Sequence, residues 1–230
     1  FTKWVTGMMD DSVSFAKSHK KEFIAKVVDG QVPAAKKTAI FMDGSPGAGK
    51  TEVATALEEM LNNICMIDAD VFRSQFPEYN GSNSSDFQAG ASLLVEYSLG
   101  YVLKKGYSFI LDGTFAIGKS IENIERALKR DYLTTIYYVF QDPVIAWNFT
   151  KQREISEGRH VPKERFISAF INSRENISKV TKKFGDLVEV IIVIKDYRNE
   201  ISEIASGIDN LELILPKTYS FKELEALLDD

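Results

Sequence analysis

The chain has 230 residues, 44% of them hydrophobic and 27% charged, which is the composition of a globular protein long enough to bury a sizeable core. Its net charge of −5 argues against a general nucleic-acid-binding protein, and no apolar run approaches the ~18 residues of a membrane span. The single cysteine, Cys65, excludes an internal disulfide framework and predicts a cytoplasmic protein.

Hydrophobic periodicity predicts strands and helices in alternation along most of the chain. The strand candidates are short apolar runs such as TAIFMD, which is typical of strands buried on both faces. Residues 195–219 are open between a short helix, a hairpin or both, and the capping box of Ser220 and Glu223 begins a last helix. In chain order we predict a helix over 10–29, a strand over 38–43, a helix over 50–61, a strand over 63–68, a helix over 84–105, a strand over 107–112, a helix over 119–130, a strand over 133–140, helices over 143–157 and 162–184, and a strand over 187–194.

This alternation predicts an α/β fold with a mostly parallel five-stranded sheet and helices on both faces. We interpret residues 1–35 as an N-terminal helical extension and residues 36–230 as a single domain built on the sheet. In open α/β sheets the functional site lies at the carboxyl ends of the parallel strands, so the residues that end the strands are the first candidates.

The segment GSPGAGKT fits the pattern G-x-x-x-x-G-K-[ST] and stands between a predicted strand and a predicted helix. Its glycines let backbone N–H groups surround phosphate oxygens, and the helix N-terminus adds the positive end of its dipole. In such a loop Lys50 reaches the β- and γ-phosphates of ATP, and the Thr51 hydroxyl binds Mg²⁺. The predicted nucleotide-binding residues are Gly44, Ser45, Pro46, Gly47, Ala48, Gly49, Lys50 and Thr51.

A phosphate-binding loop occurs in several classes of protein, and the rest of the chain narrows the choice. The GTPase base pattern N-K-x-D is absent, as is an ABC-type signature, and these residues show no sign of the second-domain machinery of an AAA+ ATPase. The remaining class is the P-loop nucleoside-triphosphate kinase fold acting on a small molecule. Its acceptor region lies between the second and third strands, and an arginine-bearing lid follows later in the chain.

Three aspartates end predicted strands and are candidates for the chemistry of transfer. Asp112 is in position to hold Mg²⁺ through water, to bind the acceptor with Thr114, or to cap the following helix. Asp68 and Asp70 end the second strand, and either carboxylate is able to accept the proton of an acceptor hydroxyl. The alternative is an N-cap for a helix that begins near residue 71, which for Asp68 is as well supported as a role in transfer. Asp70 lies closer to the expected pocket, but strand geometry alone does not separate the two.

Basic residues flank this acceptor region and the predicted lid. Arg153 and Arg159 lie on either side of EISEG, where guanidinium groups are able to neutralise charge on a transferred phosphoryl group, although single arginines are ordinarily solvated surface residues. Arg73 and the break at Pro77 to Gly81 are predicted to shape the wall that holds the acceptor.

Together these residues resemble the zeta toxins, which are P-loop kinases of toxin–antitoxin systems. The resemblance covers residues 38–185 and rests on GSPGAGKT, IDADVFRSQFPEY, FILDGT and QREISEGRHVP, in the same order and spacing. It implies transfer of the γ-phosphate of ATP to the 3′-hydroxyl of UDP-N-acetylglucosamine, with a product that blocks cell-wall synthesis. It also implies a small helical antitoxin as partner.

The resemblance also assigns roles to single residues. It makes Lys50 and Thr51 the phosphate and Mg²⁺ ligands, and it makes Asp70 rather than Asp68 the general base. The same resemblance places Arg153 and Arg159 on the ATP phosphates, and Glu96 on the sugar. Two departures concern the acceptor: Asp112 replaces the usual glutamate of E-G-T, and Phe115 and Ala116 replace a following arginine.

Two alternatives to this reading remain open at this stage. One is a kinase of a nucleotide, nucleoside or other metabolite on the same layout, without a role as a toxin. The other is a P-loop protein that mainly binds a protein partner and uses ATP as a conformational ligand. The set of Lys50, Asp70, Arg153 and Arg159 argues against the second, because binding alone requires no base.

Overall fold

The computed structural model describes residues 2–113, 115, 117–196, 198, 200–207, 211–215 and 217–229. Its helices and strands follow the predicted order closely, and short 3-10 turns lie at Ser84–Phe87 and Gly185–Leu187. The elements are α1 (Thr2–Val27), β1 (Thr38–Asp43), α2 (Lys50–Leu61), β2 (Cys65–Asp68), α3 (Ala69–Ser74), α4 (Gln88–Lys105), β3 (Phe109–Asp112), α5 (Ile117–Leu128), β4 (Leu133–Phe140), α6 (Pro143–Glu157), α7 (Lys163–Phe184), β5 (Val188–Lys195), β6 (Ile201–Ser206), α8 (Leu211–Ile214) and α9 (Phe221–Leu227).

The strands form one sheet in the order β2-β3-β1-β4-β5-β6. The first five strands are parallel, which confirms the predicted α/β fold, and β6 pairs with β5 in the antiparallel direction with a bulge at Ile194 and Lys195. The structure thus adds a sixth strand to the five predicted, in the stretch that the sequence left open. Most side chains of β6 are exposed, so it lacks the apolar run that identified the other strands.

Helices cover both faces of the sheet because the buried strands are apolar on both sides. On one face Phe41 joins a core that includes Leu94 of α4 and Ile177 of α7, and on the other face Met42 packs in a core with Val53 of α2. Within the ranges that the structure describes, no helix is long and apolar enough to cross a membrane.

The N-terminal helix α1 packs against α4 and contributes to the main core. Ala16, Phe23 and Val27 are buried there, and the rings of Phe23 and Phe72 make an edge-to-face contact with centroids 5.5 Å apart. The predicted boundary near residue 35, between a helical extension and a second unit, stays a prediction.

The edge strand β2 carries the single cysteine of the chain. The Cys65 side chain is fully buried in the main core, and burial raises the pKa of its thiol to about 12. A thiol with this pKa is protonated and inert at neutral pH, so Cys65 has a packing role.

The parallel strands β1, β2 and β3 end in carboxylates at the same edge of the sheet. These are Asp43, Asp68 and Asp112, and Asp68 lies opposite Asp112 in the register of β2 and β3. Because β1 is followed by the glycine-rich loop, this edge brings the predicted phosphate site and the acidic strand ends together.

Candidate functional site

The glycine-rich loop, residues 44–51, connects β1 to α2 through backbone conformations that favour glycine. Gly44, Gly47 and Gly49 have φ values of 146°, 71° and 88°. A Cβ atom added to Gly47 would lie 2.1 Å from the carbonyl oxygen of Ala146 in α6, so the loop and α6 meet without room for a side chain. The loop therefore has the close backbone approaches that a phosphate cradle requires.

Lys50 lies across this loop. Its Nζ donates hydrogen bonds to the carbonyl oxygens of Gly44 and Ser45, both at 2.8 Å. Burial lowers the pKa of Lys50, while the carboxylates of Asp112, Asp43 and Asp70 oppose that shift. Nearby negative charge helps Lys50 to stay protonated, and a protonated ammonium group at the loop is suited to bind phosphate.

The close contact at Gly47 leads to a prediction about nucleotide binding. We expect Gly47→Ala to lower ATP affinity at least about tenfold, because the new methyl group forces the loop and α6 apart and strains a positive φ. Equilibrium binding of a fluorescent ATP analogue measures the loss. Gly118→Ala is the matched control, since Gly118 is helical with no atom near its added Cβ, and unchanged binding by Gly47→Ala would contradict the prediction.

Thr51 and Asp112 provide two oxygens beside the loop. The Thr51 hydroxyl donates to Oδ2 of Asp112 at 3.0 Å, and Asp112 is 4% exposed. Burial raises the pKa of Asp112, while the charge of Lys50 and the Thr51 hydroxyl oppose it. The predicted acceptor ligand Thr114 lies outside the described residues.

The donor set around Asp112 fits a Mg²⁺ ion that is shared with a nucleotide. Among the residues that the structure describes, no group of three or more His, Cys, Asp or Glu side chains is arranged to hold a metal ion by itself. One hydroxyl and one carboxylate match the way in which Mg²⁺ is usually bound, by few protein ligands together with phosphate oxygens and water.

Asp68 caps helix α3. Its Oδ1 accepts the backbone N–H groups of Asp70 at 2.7 Å and Val71 at 3.4 Å, which is the capping alternative that the sequence left open. Burial and the neighbouring charge of Asp112 raise the pKa of Asp68 to about 6.

Asp70 is held by two arginines, one on each carboxylate oxygen. Arg73 Nη1 donates to Oδ1 at 2.6 Å, and Arg159 Nη1 donates to Oδ2. Burial alone would raise the pKa of Asp70, but the charges and hydrogen bonds of Arg159 and Arg73 outweigh it and hold that pKa below its usual range. The structure thus places the predicted base, Asp70, in contact with one of the two predicted lid arginines.

Arg73 is buried, whereas a residue that binds substrate is expected to be accessible. It is 3% exposed, and its Nη2 donates to Oε1 of Gln88 at 2.6 Å, so its two terminal nitrogens are engaged by Asp70 and Gln88. The sequence predicted a role for Arg73 in the acceptor wall; in the structure its visible role is to hold Asp70. No motif in the sequence pointed to Gln88, which lies at the first position of α4.

Arg153 and Glu96 are positioned differently from Arg159. Arg153 forms a two-pronged ion pair with Glu157 at 3.1 Å and lines a cavity of about 610 Å³ that Thr51 also lines. Glu96 binds Lys119 at 3.0 Å and Arg126 at 2.8 Å, both on α5. In the structure the carboxylate of Glu96 is therefore bound to α5. Its predicted contact with the acceptor stays a prediction.

Asp43 is a site residue that the sequence reading missed. It is 2% exposed, Oδ1 accepts the Gly44 N–H at 2.7 Å, and Oδ2 has no hydrogen-bond partner among the residues that the structure describes. Burial raises the pKa of Asp43 to about 8, while the Gly44 N–H and the Lys50 charge act against the rise. The signal available in the sequence was a carboxylate that ends an otherwise apolar strand directly before the loop.

Comparison with known proteins identifies one family and several similar sequences within it. The profile of the family described as Zeta toxin matches residues 23–207. Among individual sequences, the Toxin zeta of Enterococcus hirae is 27% identical over 99 residues, and that of Streptococcus agalactiae is 25% identical over 126 residues. The matched regions span 40% and 50% of this chain but only 35% and 43% of those relatives.

Solved structures share the fold over most of the chain. A structure from the PezAT chromosomal toxin–antitoxin system of Streptococcus pneumoniae superposes with a TM-score of 0.68 at 18% identity and covers 93% of this chain and 92% of that one. The AvrRxo1-ORF1:AvrRxo1-ORF2 complex with ATP gives a TM-score of 0.60 at 18% identity and covers 97% of this chain and 80% of that one. At these identities the likeness establishes a common fold.

Proposed function

The chain belongs to the zeta toxin family, and from this premise we propose that it is an ATP-dependent kinase that phosphorylates a hydroxyl of a UDP-activated amino sugar, with UDP-N-acetylglucosamine as the first candidate. The observation that supports the proposal best is the meeting of Lys50, the Thr51–Asp112 pair and the arginine-bound Asp70 at one edge of the sheet. Phosphoryl transfer to a hydroxyl requires a site that binds the phosphates and, beside it, a carboxylate positioned to accept the hydroxyl proton.

The proposed nucleotide site is the glycine-rich loop together with the N-terminus of α2. Its backbone N–H groups and Lys50 bind the phosphates of ATP, and the AvrRxo1 complex, which has the same fold, is one that was solved with ATP. Thr51 and Asp112 would hold Mg²⁺, which supplies neutralisation of phosphate charge when it is bound.

In the proposed reaction Asp70 receives the proton of the acceptor hydroxyl. The hydroxyl oxygen then forms a bond to the γ-phosphorus, and the bond to the bridging oxygen of ADP breaks. Arg159 and Arg153 stabilise the charge on the transferred group, and Lys50 stabilises the leaving diphosphate. Because the arginines lower its pKa, the Asp70 carboxyl is ionised at neutral pH, which is the form that accepts a proton.

The experiment is a panel of acceptors. The protein is incubated with ATP, Mg²⁺ and separate UDP-sugars, nucleosides, nucleotides and other hydroxyl-bearing metabolites, and products are identified by mass spectrometry. We expect a gain of one phosphate on a UDP-amino sugar, and Lys50→Met is the inactive control. Phosphorylation of a nucleoside, nucleotide or other metabolite alone would contradict the acceptor assignment.

That outcome would favour the second candidate, a metabolite kinase without a toxin role. One feature favours it: Phe115, which departs from the family pattern after Thr114, is 9% exposed and packs in the core. The residue therefore supplies no charge to an acceptor, and the anionic groups of a UDP-sugar need other partners.

A toxin role and an antitoxin partner complete the proposal. They are supported by the family and by a fold shared with a toxin–antitoxin system. The expected partner is a small helical protein that covers the nucleotide site, and the expected compartment is the cytoplasm. Induced expression of the wild-type chain should arrest bacterial growth, whereas expression of Asp70→Asn should not.

A further inference from the structure

The two oxygens of Asp70 differ in how permanently they are occupied. Arg73, which holds Oδ1, is 3% exposed and is also bound by Gln88, so it has little freedom to leave. Arg159, which holds Oδ2, has a side chain 30% exposed and follows α6 in a connection between helices. Oδ2 is therefore the oxygen that an incoming hydroxyl is able to reach.

The backbone of the lid, residues 153–162, lies against the backbone of residues 77–81, the break that follows α3. A Cβ atom added to Gly81 would lie 2.1 Å from the carbonyl oxygen of Glu157, and the Cβ position of Gly158 is 3.5 Å from the carbonyl oxygen of Asn80. With the backbone in place, Arg159 is able to change partners by rotation of its side chain alone.

A nucleotide would supply that second partner. Arg159 lies close enough to Lys50 for their charges to repel, so phosphates gathered at Lys50 are within electrostatic reach of Arg159. Among the described residues, cations that act on Asp70 include Arg73, Arg153, Arg159 and Lys50, and Asp68 and Asp112 are neighbouring anions.

We propose that Arg159 blocks the hydroxyl-accepting oxygen of Asp70 until a bound nucleoside triphosphate draws it away, so that the nucleotide binds before the acceptor. The Arg159–Asp70 ion pair then acts as a lock that closes the acceptor site of the nucleotide-free protein. In the nucleotide-bound protein the same arginine binds phosphate. The inference rests on the proposed role of Asp70 as the base, and it adds the order in which the two substrates bind.

The first test does not involve an acceptor. The pKa of the Asp70 carboxyl is followed by ¹³C NMR, with and without Mg²⁺ and a non-hydrolysable ATP analogue. We expect Arg159→Gln to raise this pKa by about one unit in the free protein. The analogue should raise it more in the wild type than in Arg159→Gln, because only the wild type has the ion pair to lose.

Arg153→Gln is the matched control for this titration. Arg153 belongs to the same lid and acts on Asp70 through charge, but its hydrogen bonds go to Glu157. Equal shifts in the wild type and Arg159→Gln on adding the analogue would overturn the lock, as would equal effects of the two arginine substitutions in the free protein.

The second test measures the binding order with UDP-N-acetylglucosamine as the probe, by calorimetry. We expect the analogue to strengthen its binding to the wild type about tenfold or more, and we expect Arg159→Gln to bind it without nucleotide. Equal binding with and without nucleotide in the wild type would overturn the proposed order. If the probe binds in no arm while the pKa shifts appear, the lock is supported and the proposed acceptor is wrong.

Discussion

Asp70→Asn is expected to lower the rate constant of phosphoryl transfer about 10³-fold and to leave ATP affinity within about threefold of the wild type. The amide has the size of the carboxylate, but it does not accept the hydroxyl proton. ATP binding survives because the loop, Lys50 and Thr51 are unchanged. Single-turnover transfer and equilibrium nucleotide binding measure the two quantities separately.

Asp68→Asn is the matched control for this substitution. Asn caps helices about as well as Asp, so α3 keeps its N-cap and we expect transfer to fall by less than about tenfold. Asp70→Asn also leaves the buried Arg73 without its carboxylate, and we expect a loss of stability of about 3 kcal/mol, so rates must be compared below the lowered melting temperature. Equal transfer by Asp70→Asn and the wild type would remove the base assignment.

Asp43→Asn is expected to stabilise the fold at pH 7 by about 2 kcal/mol. The raised pKa of about 8, against an ordinary value of 3.8, means that the folded protein holds a proton on Asp43 that the unfolded chain releases. At pH 7 this costs roughly 4 kcal/mol, at 1.36 kcal/mol per pKa unit. The asparagine offsets part of this gain, because its NH2 group takes the place of Oδ2, for which the described part of the chain provides no hydrogen-bond partner.

The pH dependence of the free energy of unfolding tests the buried proton on Asp43 more directly than a single stability value does. Because the folded-state pKa of this carboxyl is raised, its contribution to the wild-type free energy of unfolding falls as pH rises from about 4 to about 8 and is constant above that. Asp43→Asn should remove this part of the slope in urea titrations. Asp186→Asn, at an exposed position, is the control and should keep the wild-type slope. An unchanged slope in Asp43→Asn would refute the buried proton.

The elements that the sequence predicted well are those with a local physical signal. The apolar run of β1, the Asp142-Pro143 start of α6 and the capping box of Ser220 each specify a structure within a few residues, and all three are present. Residues 195–219, which the sequence left open between a short helix, a hairpin or both, contain both, namely the β5–β6 hairpin and α8. The sequence could not decide because β6 is mostly exposed and its pairing comes from the sheet.

The site shows the same division between local and tertiary information. The loop and the aspartates Asp68, Asp70 and Asp112 could be identified because their positions along the chain indicate their chemistry, whereas Asp43 was missed. The pairing of Arg159 with Asp70 joins residues 89 positions apart, and the burial of Arg73 depends on its contact with α4. No periodicity in the sequence encodes either contact. For this reason the sequence predicts that Arg73 shapes the acceptor wall, whereas the structure shows that it holds Asp70.

The buried thiol of Cys65 makes the unmodified protein its own reporter of conformational opening. Reagents reach that sulfur only when β2 separates from the core, so the rate of alkylation measures how often this edge of the sheet opens. Since β2 leads directly into Asp68 and α3, a ligand that steadies the acceptor side of the site should slow the labelling, without any engineered probe.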